Sequence, residues 1–177
     1  MAEQNLEELF ERILAAMREL STQVDVGSYR NLTSSMMTDV VPLALRLRCD
    51  PARRLDPQTK RFLDESSQMI TQLIGHIKYY ITLVEDWFYG EWTHEEWVTA
   101  CRDRSAIAFL FELYQHTDLQ IFFPDLKDRT EIIDQLLRQK VDQGVNTPYH
   151  KIPAGTPNSH WWWWYPQDAP PHGKPCE

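Results

Sequence analysis

Residues 56–90, DPQTKRFLDESSQMITQLIGHIKYYITLVEDWFYG, constrain the fold more than any other stretch, because they read as one long helix with an unusually wide apolar face. The start is marked twice. Asp56 can accept hydrogen bonds from the free backbone N–H groups of the first turn, and Pro57 sits at the first helical position, where its missing donor costs nothing. Phe62, Met69, Leu73, Ile77, Tyr80, Ile81, Val84 and Phe88 then recur at steps of three and four residues. Ile70, Ile74, Leu83 and Trp87 widen that stripe beyond a surface seam, so the helix needs neighbours on several sides and is expected near the middle of a bundle. Gly75, within it, predicts a close helix crossing.

The other segments supply those neighbours. Residues 3–24 form an amphipathic helix, with Leu6, Leu9, Phe10, Ile13, Leu14, Met17, Leu20 and Val24 on one side and glutamates in the first turns, where they complement the helix dipole. Ser28 is placed to cap a second helix, which Pro42 should kink or divide. A short turn is expected after Asp50 and Pro51. Thr93 and Glu96 have capping-box spacing between Trp92 and Trp97, which flank them as a hydrophobic staple. The helix that follows continues, or restarts at Ser105, through Ile107, Phe109, Leu110, Phe111, Leu113 and Tyr114. Residues 119–123 read as a short extended piece ending at Pro124. Leu126, Ile132, Ile133, Leu136, Leu137 and Val141 then make a last helix closed by Gly144. With no strand period and no internal repeat, the expectation is an all-α fold: a single bundle of about five or six helices spanning residues 1–144, with residues 145–177 as an extended tail.

That tail differs sharply in composition. Its 33 residues hold seven of the eleven prolines, four of the seven tryptophans and three of the six histidines, and no helical period survives in it. Proline-rich chain of this kind favours extended or polyproline conformation. The run SHWWWWYP, residues 159–166, carries too much apolar area to be left in water, so the tail should be held either by its own bundle or by another chain.

Charge and cysteine usage narrow the function. The chain carries a net charge of −8, all of it on the body, since Lys151 and Lys174 balance Asp168 and Glu177 in the tail. Nucleic-acid binding needs cationic surface to displace counterions, and this chain lacks it overall. The exception is RLRCDPARRLDPQTKR, where Arg46, Arg48, Arg53, Arg54, Lys60 and Arg61 face only two aspartates. This segment reads as a solvated connector or as a docking patch for an acidic partner. Cys49, Cys101 and Cys176 are odd in number and widely spaced, which suggests no disulfide framework and a reducing compartment. The opening MAEQNLEELFERIL has neither signal-peptide nor transit-peptide character, and no apolar run could span a bilayer, so a cytoplasmic protein is expected.

Side chains that could carry chemistry are scattered. His76 lies alone in the long helix and reads as a hydrogen-bonded core residue. Glu91 and His94 have the Glu-x-x-His spacing of di-metal bundles, which need a second such pair. Glu112 and His116 share a helix face without an accompanying HExxH. His150, His160, His172 and Cys176 can ligate metals, but at spacings that match no zinc module. There is no P-loop, no G-x-S-x-G and no G-x-G-x-x-G.

Together these features point away from an enzyme, a metal site or a cofactor. They favour a protein–protein interaction or structural subunit, whose partner-binding residues would be Trp161, Trp162, Trp163, Trp164 and Tyr165, with Arg53 and Arg54. Tryptophan is enriched at binding hot spots. Two other readings stand beside it. One is a small helical metal-binding protein or enzyme using His76, His94 or His116; the other is an acidic protein that neutralises a basic partner such as a toxin. On the favoured reading the bundle should fold even when the chain stops at Gly144, with the aromatic tail docking on a partner or larger assembly.

Overall fold

Helix stripes meet one another in a computed structural model that describes residues 5–90, 94–141, 147–165 and 167–176. The six α-helices are α1 (Leu6–Ser21), α2 (Arg30–Cys49), α3 (Pro57–Ile70), α4 (Ile74–Phe88), α5 (His94–Leu113) and α6 (Leu126–Val141), and no strand is present among the described residues. The fold is an all-helical bundle.

Local chemistry sets most of the boundaries. Asn5 caps α1 by accepting from the Glu7 N–H at 3.2 Å, and Arg18 in the last turn offsets the dipole. The helix ends at Ser21, three residues short of Val24, which is 95% exposed and not part of the apolar face. Asp56 caps α3 as its position predicts, taking the Gln58 and Thr59 N–H groups at 3.0 and 3.1 Å, with Pro57 in the first turn.

The long central helix is not continuous. A 3-10 turn at Thr71–Leu73 separates α3 from α4. The two halves have different neighbours: α3 packs on α1, with Phe10 and Phe62 stacked at 4.4 Å, whereas α4 packs on α2, α5 and α6. Gly75 marks no helix crossing. It is exposed, and a Cβ there would stand 3.4 Å from Val26 in a loop.

Helix α2 is likewise enclosed by three others, packing against α1, α4 and α5. It runs unbroken through Pro42, because its C-terminal half buries Leu43, Ala44, Leu45 and Leu47, and that packing outweighs the lost backbone bond. Ser28 does not cap it. Its hydroxyl is given to Asp25 Oδ2 at 2.6 Å, and Tyr29 precedes the helix without a side-chain cap. The turn expected after Asp50 is present as a 3-10 turn at Pro51–Leu55.

Helix α5 passes Ser105 without restarting and is buried over much of its girth, from Trp97 through Phe111. Thr93, Trp92, Glu91 and Gly144 lie outside the described residues, and with them the expected capping box and helix stop. Residues 118–122 form a 3-10 turn in place of an extended piece, since Thr117 accepts from the Leu119 N–H at 3.3 Å and starts a helical turn. Among the described residues, no helix is long and apolar enough to cross a membrane.

The tail closes the bundle. Thr147 accepts a hydrogen bond from the Trp97 indole at 2.8 Å, a 3-10 turn follows at Tyr149–Lys151, and Ile152 is buried. A second 3-10 turn at Trp161–Trp163 lies against α6. Trp162, Trp163 and Trp164 belong to the same core cluster as the helix stripes. Residues 167–176 then return to Gly155, and Cys176 is joined to Cys49 at the end of α2 by a disulfide. The expectation of unpaired cysteines is therefore corrected, and the argument from them to a reducing compartment loses its basis. A pairing across 127 residues leaves no local spacing to read.

Candidate functional site

A cluster of buried polar chemistry surrounds Ser105, which α5 holds at 1% exposure opposite the tryptophan run. Its Oγ accepts from the Trp162 indole at 3.1 Å and from the Trp163 indole at 2.9 Å, and lies 3.0 Å from His160 Nδ1. A hydroxyl has two lone pairs and one proton. The indoles use both lone pairs, so Ser105 donates to Nδ1 and His160 carries its own proton on Nε2. Burial, with the positive charges of Arg104 and Arg48, pushes the His160 imidazole down to about 3, so it is neutral. The ring is stacked on Trp162 at 4.6 Å and tilted against Phe109 at 4.4 Å.

A serine beside a neutral histidine resembles half of a catalytic triad, but these roles are reversed. A nucleophilic serine gives its proton to histidine and attacks through a free lone pair. Here both lone pairs are occupied by indole N–H groups, and the hydroxyl is sealed from solvent. The arrangement joins α5 to the tail.

The same face holds further links of this kind. The Trp162 indole also reaches the Cys101 carbonyl at 3.1 Å, and the Cys101 thiol, pushed up by burial, donates to the Trp162 carbonyl at 3.6 Å. Arg104 is gripped by Asp134 of α6 at 2.7 and 3.3 Å while its guanidinium lies 4.5 Å from the Trp162 ring centre. Arg138 of α6 covers Trp161 at 4.2 Å, and Tyr165 meets Trp161 edge-on at 5.3 Å. Of the residues expected to bind a partner, Trp162, Trp163 and Trp164 are therefore buried, and Trp161 and Tyr165 are half-buried against their own bundle.

Arg53 and Arg54 are placed differently. They lie on the turn Pro51–Leu55, in which no residue is buried. Arg53 pairs with Asp50 at 3.2 Å and Arg54 with Glu112 at 3.8 Å, both at exposed positions, so these pairs hold the side chains only loosely. Leu55 is 70% exposed beside them. The turn runs into α3, where Pro57, Lys60, Arg61, Asp64, Glu65 and Gln68 line an open groove of about 550 Å³.

The histidines considered for metal chemistry are dispersed. His76 is buried, with Nε2 3.3 Å from the Gln23 carbonyl, as expected of a hydrogen-bonded core residue. His116 lies in the turn beyond α5, not on a shared helix face with Glu112, and sits 3.2 Å from the Ser67 hydroxyl, while Glu112 in the last turn of α5 pairs with Arg54. Glu91 lies outside the described residues, as does the side chain of His94. His150 and His172 are exposed, whereas His160 is taken up by Ser105. No group of three or more histidine, cysteine, aspartate or glutamate side chains is placed to hold a metal ion among the described residues.

The Ser105 hub escaped sequence reasoning, because a single serine in an apolar helix carries no spacing signal. The tryptophan run did signal a large apolar surface that had to be covered. No family model matches the chain, and neither a curated protein nor a solved structure matches it.

Proposed function

We propose that this chain is a non-catalytic interaction protein or structural subunit: a helical body, braced by its own aromatic tail, that presents a basic turn to an acidic protein surface. The observation that supports this reading is the turn Pro51–Leu55. It leaves Arg53, Arg54 and Leu55 exposed, the two arginines only loosely paired with Asp50 and Glu112, next to Lys60 and Arg61, on a chain whose net charge is −8. A local cationic patch of this kind steers an acidic partner and fixes its orientation, and the exposed leucine adds an apolar contact at the centre. In this reading the tryptophans support the surface from within and do not form it.

The test is affinity capture with the full chain, comparing the native sequence with Arg53→Glu/Arg54→Glu at low and high salt. The native protein should retain an acidic partner that salt weakens and the double substitution removes. Retention of the same partner by both proteins would move the interaction to another face.

A further inference from the structure

We propose that the Cys49–Cys176 disulfide is a reversible redox latch that holds residues 167–176 on the body, and that its reduction releases this segment while leaving the bundle folded. The proposal rests on how differently the two parts of the tail are held. Residues 147–165 are anchored by apolar burial, through Ile152, Trp162, Trp163 and Trp164, and by the Trp97–Thr147 bond. Residues 167–176 bury no large apolar side chain; Gly173 alone among them is buried, and Ala169, Pro170 and Lys174 are half-buried.

What secures the outer segment is a small set of polar links. The Gly155 N–H donates to the Lys174 carbonyl at 3.1 Å, and the Lys174 N–H to the Thr156 carbonyl at 2.9 Å. Lys174 Nζ donates to the Ile152 and Tyr149 carbonyls at 2.5 and 3.3 Å, and Asn158 to the Pro171 carbonyl at 2.8 Å. Each such bond can be exchanged for a bond to water once the chain end is free, whereas the covalent link holds until a reductant breaks it, so the disulfide decides whether this segment stays in place. Removing it leaves the core contacts of the tryptophan run untouched. The release uncovers the buried backbone at residues 155–157 and the last turn of α2.

One partner of the bond is an exposed residue. Cys176 is exposed, whereas Cys49 is half-buried with the Gly155 backbone packed against its sulfur. A dithiol reductant attacks through its thiolate at Cys176 Sγ, forming a mixed disulfide and expelling Cys49 as a thiolate, which takes a proton from water. The second thiol of the reductant then closes its own disulfide and releases Cys176. Two electrons pass from the dithiol to the cystine, and the oxidised dithiol reverses the exchange. Cys101 stays outside this chemistry, since it is fully buried on α5.

The experiment treats the full native chain with dithiothreitol, without denaturant, then alkylates it and maps the labelled cysteines. In parallel, amide hydrogen exchange and tryptophan emission are followed. The expected result is labelling of Cys49 and Cys176 with Cys101 unlabelled, loss of exchange protection at Gly155 and Lys174, and unchanged emission and helical circular dichroism. Oxidised dithiothreitol should restore the protection. Three outcomes would each overturn the latch: labelling only in denaturant, reduction without loss of protection at Gly155 and Lys174, or reduction that also shifts emission and exposes α5 amides. The last would make the disulfide a structural staple. Cys176→Ser supplies a check without reductant and should show the same local loss of protection in a folded protein.

Discussion

Arg129 of α6 forks onto Glu85 of α4, its Nε donating to Oε1 at 2.8 Å and its Nη2 to Oε2 at 2.5 Å, while Nη2 also donates to the Thr82 hydroxyl at 2.8 Å. Both side chains are less than one-fifth exposed, so solvent screens the pair less than it screens the surface pairs Arg53–Asp50 and Arg54–Glu112. A planar guanidinium can make two parallel bonds to one carboxylate, and an ammonium cannot. Arg129→Lys should therefore destabilise the fold by about 1 to 3 kcal/mol in urea unfolding despite keeping the charge. Arg53→Lys should change it by less than about 0.5 kcal/mol. Equal effects at the two sites would show that the α4–α6 fork adds nothing beyond an exposed ion pair.

Acid stability should show two opposing groups. Burial holds the His160 pKa at about 3, against an ordinary 6.5, so the unfolded chain binds a proton there that the folded chain refuses. Stability attributable to His160 is complete above pH 6.5 and is lost as pH falls from 6.5 toward 3. Asp103 behaves in reverse. Burial raises its carboxyl to about 6 from 3.8, only partly opposed by the Tyr80 hydroxyl bond and Arg102. The folded chain gains a proton there first, and that contribution is lost as pH rises through about 6. Over the shared window the two slopes cancel. Asp103→Asn, which preserves an acceptor for Tyr80, should therefore add a fall in unfolding free energy of about 1.4 kcal/mol per pH unit between about pH 6 and pH 4 relative to the native protein. Parallel stability curves for the two proteins would mean that Asp103 titrates normally.

The same physics explains what could be read before the structure. Helices α1, α3, α4 and α6 announce themselves through apolar periodicity and, at Asp56 and Pro57, through cap chemistry, all of which act within one or two turns. The continuous passage of α2 through Pro42 was not legible, because a local rule allows the helix to divide there and only the packing of Leu43 to Leu47 favours carrying it on. The 3-10 turn between α3 and α4 was likewise hidden, since the two halves serve different neighbours and no residue in TQL forbids a regular helix. At the candidate site, the exposed turn with Arg53 and Arg54 stood out by charge. The Ser105 hub and the Cys49–Cys176 bond depend on residues more than fifty positions apart, and neither leaves a periodic trace.

Within the tryptophan run, depth should govern the effect of substitution. Trp163 is 1% exposed and donates to Ser105, so Trp163→Ala should cost about 3 to 5 kcal/mol through the cavity and the lost partner. Trp161 is half-buried between the Arg138 guanidinium and the edge-on Tyr165 ring, so Trp161→Ala should cost about 1 kcal/mol. Urea unfolding of both variants tests the ordering. A chain ending at Gly144 loses three buried indoles at once and should fail to give a cooperative transition, against the sequence-based expectation of a self-sufficient bundle. A sharp transition in that truncated chain, or equal small losses at Trp161 and Trp163, would show that the run only covers the core.

Gly155, like Gly173, is a position where the backbone leaves no room for a side chain. Its φ is +77°, in the left-handed region that side chains rarely adopt, and a Cβ there would stand 2.5 Å from Cys49 Sγ and 3.4 Å from Cys176 Sγ. Gly155→Ala therefore strains the backbone and pushes on the bond that closes the chain. Shifting residue 155 would also misalign its N–H with the Lys174 carbonyl. The expected outcome is a raised fraction of free Cys49 and Cys176 thiol in freshly purified protein, measured by alkylation and intact mass. A stability loss of about 1 to 3 kcal/mol should accompany it in whatever fraction remains oxidised. In the Cys49→Ser/Cys176→Ser background the sulfur-to-sulfur bond no longer fixes the approach, so the same glycine substitution should cost less, only the positive-φ penalty remaining. An equal cost in both backgrounds would show that the glycine serves the turn alone and not the disulfide.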